Sequence, residues 1–444
     1  MAINTPWSQR WPTLLLLGAF SFAGFSSASE PGPATPLSAL SLPLAQQLAQ
    51  QNNRDLRLAR VAVQSAAAGK IIAGAAPNPV LSWQTGNINP QAGIGSGSLR
   101  SKTVDSTVRI DQLIERGGKR GLRLENASHL EQAARLDEQD TARQLRAQVA
   151  KAYYDVLAGG EREVILTQNE QLYQTTLAAA RKRQQAGDLA AADVARLELE
   201  ALRAQNDLVA TRLDARNARI ALATLLGQPA QVDTMQLVDG WPPAGASVTG
   251  MNDVSDVIRA ARIEQRPDVM AARARLAAAD AARQLALASR TRDITIGVQA
   301  EHFPASAGNS QGSGNSYGIS LQVPLFVRYG QEGEIRAAEL ACDKARETLE
   351  KVREQAQLEV LQNIQQWRTA LVRWQRFESS LLPAAQKSAD AAEFAFRHGA
   401  SNLTDVLDAR RTWRATLQDA LAARLDYAKS WAAWQAAFVE EMPQ

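Results

Sequence analysis

Two hydrophobic periods organise this chain, and each occurs twice. From Gly118 to Gln185 runs a proline-free stretch rich in Ala, Leu, Glu, Gln and Arg, side chains that lose little freedom in a helix. Leu145, Val149, Ala152 and Val156 step by four, three and four, the seam of a coiled coil. Arg146, Lys151 and Asp155 lie opposite that seam, which excludes a transmembrane helix. One continuous helix here would reach roughly 100 Å, far longer than a globular domain uses. A second rod, Gln331 to Arg397, repeats the feature. Trp367, Leu371 and Trp374 form a stripe on it, and Trp431, Trp434 and Phe438 do the same near the C-terminus. The rods are expected to turn back at Gly187-Asp188 and Gly399-Ala400 into helices from Ala190 to Leu226 and from Leu403 to about Val439.

The other period is two, the mark of a strand with two different surroundings. Val104, Val108 and Ile110 share one face; Thr103, Asp105, Thr107, Arg109 and Asp111 share the other. Leu81 and Trp83 continue the apolar face on a preceding strand. Ile294, Ile296 and Val298 mark a third strand, and Ile319, Leu321 and Val323 a fourth. The strands are placed near 79–89, 102–114, 293–301 and 317–326, with Gly- and Ser-rich loops between the members of each pair.

These elements fall into two similar halves about 212 residues apart. Arg266-Pro267-Asp268 takes the place of Arg54-Asp55-Leu56, Gly399 that of Gly187, and Asp405-Val406 that of Asp193-Val194. The spacing indicates an internal duplication rather than a short solenoid repeat. The expected organisation is a first repeat at 43–226, a Pro- and Gly-rich linker at 227–250, a second repeat at 251–439 and a tail at 440–444. Ahead of these, Arg10, the apolar run Thr13 to Phe25 and Ser26-Ser27-Ala28 make residues 1–28 an expected secretory signal, too short to span a bilayer. Residues 29–42 are expected to be a flexible leader.

Composition narrows the function. A formal charge of +3 over 444 residues gives no indication of nucleic-acid binding. The single cysteine, Cys342, excludes an internal disulfide. Four strands cannot close a membrane barrel, and an open sheet in lipid leaves edge amides unsatisfied. The hairpins are therefore either soluble caps on a coiled coil or contributions to a barrel shared among chains. Two chains would give eight strands around a filled interior; three would give twelve around a channel.

The duplicated strand-pair-and-rod layout resembles the outer membrane factors of tripartite efflux systems, the TolC-like family. Its marks are Asn78-Pro79, Gly117-Gly118-Lys119-Arg120, Leu382-Pro383-Ala384, Ala186-Gly187-Asp188 with Asp193-Val194, and His398-Gly399 with Asp405-Val406-Leu407-Asp408-Ala409. The resemblance covers about Leu44 to Phe438. It implies a mainly α fold with a small β part: duplicated helical hairpins form an α-barrel tunnel in the periplasm, and a trimer shares a twelve-stranded barrel in the outer membrane of a Gram-negative bacterium. It further implies a passive duct served by a periplasmic membrane-fusion adaptor and an inner-membrane pump of the RND type. The Gly-Gly-Lys-Arg segment looks most like the cobalt–zinc–cadmium branch, so heavy-metal cations are the expected cargo; drug efflux and type I secretion are the alternatives.

The resemblance also places function at the tips. Gly187, Asp188, Gly399 and Ala400 would meet the adaptor. Asp405 and Asp408, three apart on one helix face, would form rings of three carboxylates in a gate, or else stabilise a helix N-terminus. The family's best-known gate has a tyrosine where this chain has Phe396 and an arginine where it has Ser401. Phe396 therefore cannot donate a hydroxyl hydrogen bond to Asp193. The eleven residues expected to face lipid are Leu81, Trp83, Val104, Val108, Ile110, Ile294, Ile296, Val298, Ile319, Leu321 and Val323. His129, His302 and His398 are scattered, and no metal-ligand spacing, cofactor motif or catalytic motif is present. A reading from another class is an exported coiled-coil scaffold or adhesin with no pore.

Overall fold

The computed structural model describes residues 39–86, 104–243, 262–303, 314–398 and 400–437. The chain runs α1 (Leu42–Asn52), α2 (Arg54–Gly74), β1 (Val80–Gly86), β2 (Asp105–Ile114), α3 (Lys119–Gln185), α4 (Ala191–Leu225), α5 (Pro267–Ala288), β3 (Ile294–Phe303), β4 (Gly314–Gln322), α6 (Glu332–Arg376), α7 (Leu382–Arg397) and α8 (Leu403–Ala437). The expected signal lies outside the described residues, as does most of both hairpin loops.

α3 is one uninterrupted helix of 67 residues, about 100 Å long at 1.5 Å per residue. On its seam Leu145, Val149 and Val156 are buried and Ala152 packs beside them. The second rod departs from expectation. Between α6 and α7 it widens into a five-residue π turn, Phe377–Leu381, where the Leu382 amide donates to the Phe377 carbonyl. Pro383 follows directly. It brings no N–H, and its ring would crowd the carbonyl four residues back; a wider turn relieves both problems.

α3 packs against α2, α4, α5 and α8; α6 packs on α5 and α8; α7 packs on α8. The helices thus form a layer with α2 and α4 at one margin and α6 and α7 at the other. α4 carries two seams. Val194, Leu197, Ala201, Ala204, Leu208, Thr211 and Ala215 step by threes and fours and are buried. Leu199, Leu202, Val209, Leu213 and Ile220 keep the same period on another side and are exposed. At the opposite margin Leu358, Leu361 and Val372 of α6 are likewise exposed. Inside the layer Trp367, Leu371 and Trp374 pack with Tyr427 and Trp431, the seam that the tryptophan spacing predicts.

The strands form one antiparallel sheet in the order β1-β2-β3-β4. Register puts Leu81 beside Ile110 and Trp83 beside Val108, Ile110 beside Val298, and Val298 beside Ile319 with Ile296 beside Leu321. One face is therefore apolar across all four strands. Leu81, Trp83, Val108, Ile110, Ile296, Val298, Ile319 and Leu321 on it are exposed, and Ile294 is half-buried. Val104 departs from the expected set: it precedes the ladder, which begins where Asp105 meets Gly86, and it is buried. Val323 also lies outside its strand, because β4 ends at Gln322 just before Pro324, which has no N–H for a ladder.

Two segments expected to be irregular are packed. Leu40, placed in the flexible leader, is fully buried. It forms a parallel bridge with Leu237 of the linker. The Tyr153 hydroxyl donates to the Leu40 carbonyl at 3.0 Å and accepts from the Asp239 amide at 3.1 Å, so α3 ties leader and linker together. Cys342 is buried on α6. No described helix is long and apolar enough to cross a membrane.

Candidate functional site

The Gly117-Gly118-Lys119-Arg120 segment makes the joint between sheet and rods. Gly117 and Gly118 have φ of +76° and +70°, a region side chains resist. A Cβ on Gly117 would stand 2.9 Å from the Thr291 Cβ. That turn sets the Lys119 ammonium, nearly buried, 2.7 Å from the Thr291 carbonyl and 2.9 Å from Asp293. The Arg116 amide also donates to Asp293, and the Arg120 Nε donates to the Gly74 carbonyl at 2.6 Å. The motif therefore clamps the start of α3 to the residues leading into β3 and to the end of α2. These contacts are structural and carry no information on cargo.

A second knot lies farther down. Arg266, 1% exposed, donates to Asp268 at 2.8 Å and to Glu359 of α6 at 2.7 Å. Nearby, buried Arg143 of α3 pairs with Asp140 at 2.7 Å and donates to the Ala436 carbonyl of α8 at 3.1 Å. Arg266-Pro267-Asp268 stood out in the sequence only as a repeat landmark. Its partners come from distant helices, which no local spacing reveals.

At the first tip, Gly187 has φ +86°. Its amide donates to the Gln184 carbonyl, and the Asp188 amide to the Arg183 carbonyl. These are the paired bonds of a Schellman motif, which satisfies the end of α3. At the other tip the Ala400 amide donates to the Ala395 carbonyl, while Gly399 lies outside the described residues.

The expected gate residues occupy these same ends. The Asp405 amide donates to the Asn402 side chain at 2.9 Å, and the Asp405 carboxylate accepts weakly from the Asn402 amide at 3.4 Å. That is a capping box at the start of α8. Asp408, exposed one turn on, accepts from Arg411 at 2.9 Å. Asp193, in the first turn of α4, lies 3.6 Å from Arg196. Phe396 packs against the cluster of Tyr173, Leu177, Val194, Leu197, Leu403 and Leu407, and the Arg183 guanidinium stands 6.0 Å from its ring. Phe396 thus makes an apolar contact at the position expected to belong to the gate.

Sequence reasoning missed Glu200. It is 5% exposed and takes hydrogen bonds from Arg411 at 2.8 and 3.3 Å and from Arg203 at 3.0 Å. One arginine therefore joins Glu200 of α4 to Asp408 of α8. The signal was available: Glu200 is a charge within the buried seam between Leu197 and Ala201. The bonds from Arg411 hold the Glu200 pKa below the ordinary range, against burial, which raises it. The lowered value stabilises the fold above about pH 4.3, and that contribution is lost as pH falls through the folded pKa. No group of His, Cys, Asp or Glu among the described residues could hold a metal ion.

One family model, outer membrane efflux protein, matches residues 45–228 and again 259–438. The chain belongs to the outer membrane efflux protein family. Cobalt-zinc-cadmium resistance protein CzcC of Cupriavidus metallidurans is 26% identical over 378 residues, 84% of each chain. Pyoverdine export outer membrane protein OpmQ of Pseudomonas putida is 27% identical over 384 residues, 82% of this chain and 78% of that one. The fold is similar to the crystal structure of the Campylobacter jejuni outer membrane channel CmeC, with a TM-score of 0.72 at 17% identity over 99% of this chain and 94% of that one. Outer membrane efflux proteins are passive channels of the outer membrane, not enzymes. They work with periplasmic adaptors and inner-membrane pumps in tripartite efflux. This chain is therefore an outer membrane efflux channel, and the pore-free scaffold reading falls.

Proposed function

We propose that three copies of this chain form a passive exit duct for divalent heavy-metal cations, served by an adaptor and a pump of the RND type. The observation that carries the assembly is the sheet. It has an apolar face, a polar face and one unpaired edge on each of β1 and β4. β1 and β4 run antiparallel, so head-to-tail neighbours can pair β4 with β1 and close an all-antiparallel barrel of twelve strands. The exposed seams at the two margins of the helical layer support the same closure, α4 of one copy against α6 of the next. In that barrel the apolar face meets lipid and the polar face meets water.

The cargo reading rests on the alignment with a cobalt–zinc–cadmium resistance protein over most of both chains. The pyoverdine exporter aligns nearly as far and favours a second reading, export of a larger organic molecule. Deleting the gene from its host separates them. Cell-associated cobalt, zinc or cadmium is expected to rise several-fold on challenge, with drug and siderophore export unchanged. The reverse pattern would sink the metal reading and support the second.

Asp405 and Asp408 form the gate in this proposal. Both are exposed near the tip, where threefold symmetry would bring three copies of each around the axis. Close carboxylates repel, so a divalent cation should bind the ring and slow other traffic. Asp405→Ala with Asp408→Ala is expected to raise single-channel conductance in planar bilayers and weaken block by divalent cations. Tip stability should fall only slightly, because Asn402 still caps α8 and the bond lost with Asp405 is the weak one. Unchanged conductance and block would leave these aspartates as helix-end residues only.

A further inference from the structure

The apolar face of the sheet ends in arginine. Its last rung pairs Ile114 of β2 with Ile294 of β3. Two residues past Ile114 stands Arg116, and two residues before Ile294 stands Arg292, both exposed. On the β4 side Leu325 and Val327 carry exposed apolar surface beyond the strand, and Arg328 follows them, exposed as well. The Arg292 guanidinium stands 5.6 Å from the Phe326 ring, so the two segments meet. Where the sheet joins the helices, a band of apolar side chains thus gives way to a collar of guanidinium groups.

The collar exceeds its own carboxylates. Residues 115–123, 290–293 and 328–334 hold seven cations against four carboxylates. Each of those carboxylates is engaged inside the joint. Glu115 takes Arg123 at 2.8 Å, and Asp293 takes Lys119 at 2.9 Å. Glu332 accepts from the Gly330 amide at 3.0 Å, and Glu334 from the Tyr329 hydroxyl at 2.7 Å. The side chains of Arg116, Arg290, Arg292 and Arg328 make no ion pair among the described residues. A neighbouring copy brings no carboxylate beside Arg328 either. The proposed closure sets β4 against the next copy's β1, and residues 71–84, around the start of that strand, contain no Asp or Glu. Guanidinium groups without carboxylates, at the edge of an apolar band, match one chemistry: a phosphate at the head of an acyl chain. Guanidinium holds phosphate by paired hydrogen bonds, and the apolar side chains beside it take the hydrocarbon.

We infer that this collar seats the barrel on acidic phospholipid, with its arginines on the phosphates of the leaflet nearer the helices. The inference rests on the proposed barrel, which puts the apolar face in lipid. It adds the class of lipid that the barrel's edge selects. Three copies would carry the surplus charge around the whole circumference, and basic residues beside an anionic leaflet are drawn to it. The depth at which the barrel sits would then be fixed by charge at that edge.

The test measures lipid at the protein surface. Native protein is reconstituted in phosphatidylcholine vesicles carrying a trace of spin-labelled phosphatidylglycerol or of spin-labelled phosphatidylcholine. The share of motionally restricted label gives the relative affinity. Phosphatidylglycerol is expected to be favoured about fivefold at low salt, the scale of one basic residue beside an anionic leaflet. Sodium chloride at about 0.5 M should bring the ratio near one by screening. Arg116→Gln with Arg292→Gln and Arg328→Gln should do the same at low salt. These side chains are exposed and hold no ion pair, so oligomer mass and strand content should not change. Should the triple variant fail to assemble, Arg328→Gln alone, which breaks no contact among the described residues, should still lower the ratio by roughly half. A native ratio near one, a ratio that high salt leaves standing, or one that the assembled variant keeps overturns the collar inference and leaves the duct standing. Protein that stays out of the vesicles, restricting neither label, overturns the proposed barrel and the inference with it.

Discussion

Val209→Asp combined with Leu213→Asp is expected to leave the protein monomeric in detergent, where the native chain should run as a trimer. Both residues lie on the outer seam of α4, 66% and 60% exposed in a single chain. The inner seam, which packs the helix on its own subunit, is untouched, so the fold should persist. Burying two such side chains contributes about 3 to 6 kcal/mol per interface, and placing carboxylates against an apolar partner adds a desolvation cost. A loss of that size weakens association by two to four orders of magnitude. Light scattering gives the mass and circular dichroism checks the helix content. A variant with native trimer mass would show that α4 does not form the joint between copies. Leu208→Asp, on the inner seam, is the contrast: it should unfold the chain rather than separate copies.

Gly187→Val is expected to reduce efflux to the level of cells lacking the gene while the protein still inserts and assembles. The tip ends a rod of about 100 Å and is the part of the chain farthest from the sheet. A rigid turn there is the natural contact for an adaptor hairpin. At φ +86° a β-branched residue is strained by a few kcal/mol, which should reshape the turn. Nothing lies within 4 Å of a Cβ at this site, so the effect is one of backbone angle and not of collision. Gly187→Asn is the control, since asparagine tolerates this region and should keep most of the activity. Full efflux by Gly187→Val, with normal amounts in the membrane, would place docking elsewhere.

Elements with a strong period were legible in the sequence. The seam at Leu145, Val149 and Val156 and the alternation at Val108 and Ile110 each repeat often enough to fix a face. Where the period stops, the reading fails. Val104 sits one residue before the ladder, and alternation says nothing about a residue outside it. The π turn at Phe377–Leu381 was hidden because Pro383 announces a disturbance without saying how the helix absorbs it. Leu40 looked like leader because its neighbours are Pro, Thr and Ser; only its partner Leu237, far along the chain, makes it core. The aspartates proposed for the gate were visible as residues, but Arg411 reaches Glu200 across 211 positions. Long-range ion pairs of this kind leave no spacing to read.

The sheet's middle joint has a consequence for the order in which the chain can mature. β1 pairs with β2, and β3 with β4, across single loops, but β2 must wait for β3. A contact that fastens that joint, Lys119 to Asp293 just before β3, links residues 174 positions apart. Loop closure over such a distance is not prohibitive, since each doubling adds only about 0.6 kcal/mol. Delivery is the harder constraint. During export β2 emerges long before β3, so for that interval its hydrogen-bonding groups are open to any passing strand. The long helices between them can form locally meanwhile, which brings β3 to a scaffold already standing. In this protein the second half acts as the guardian of the first.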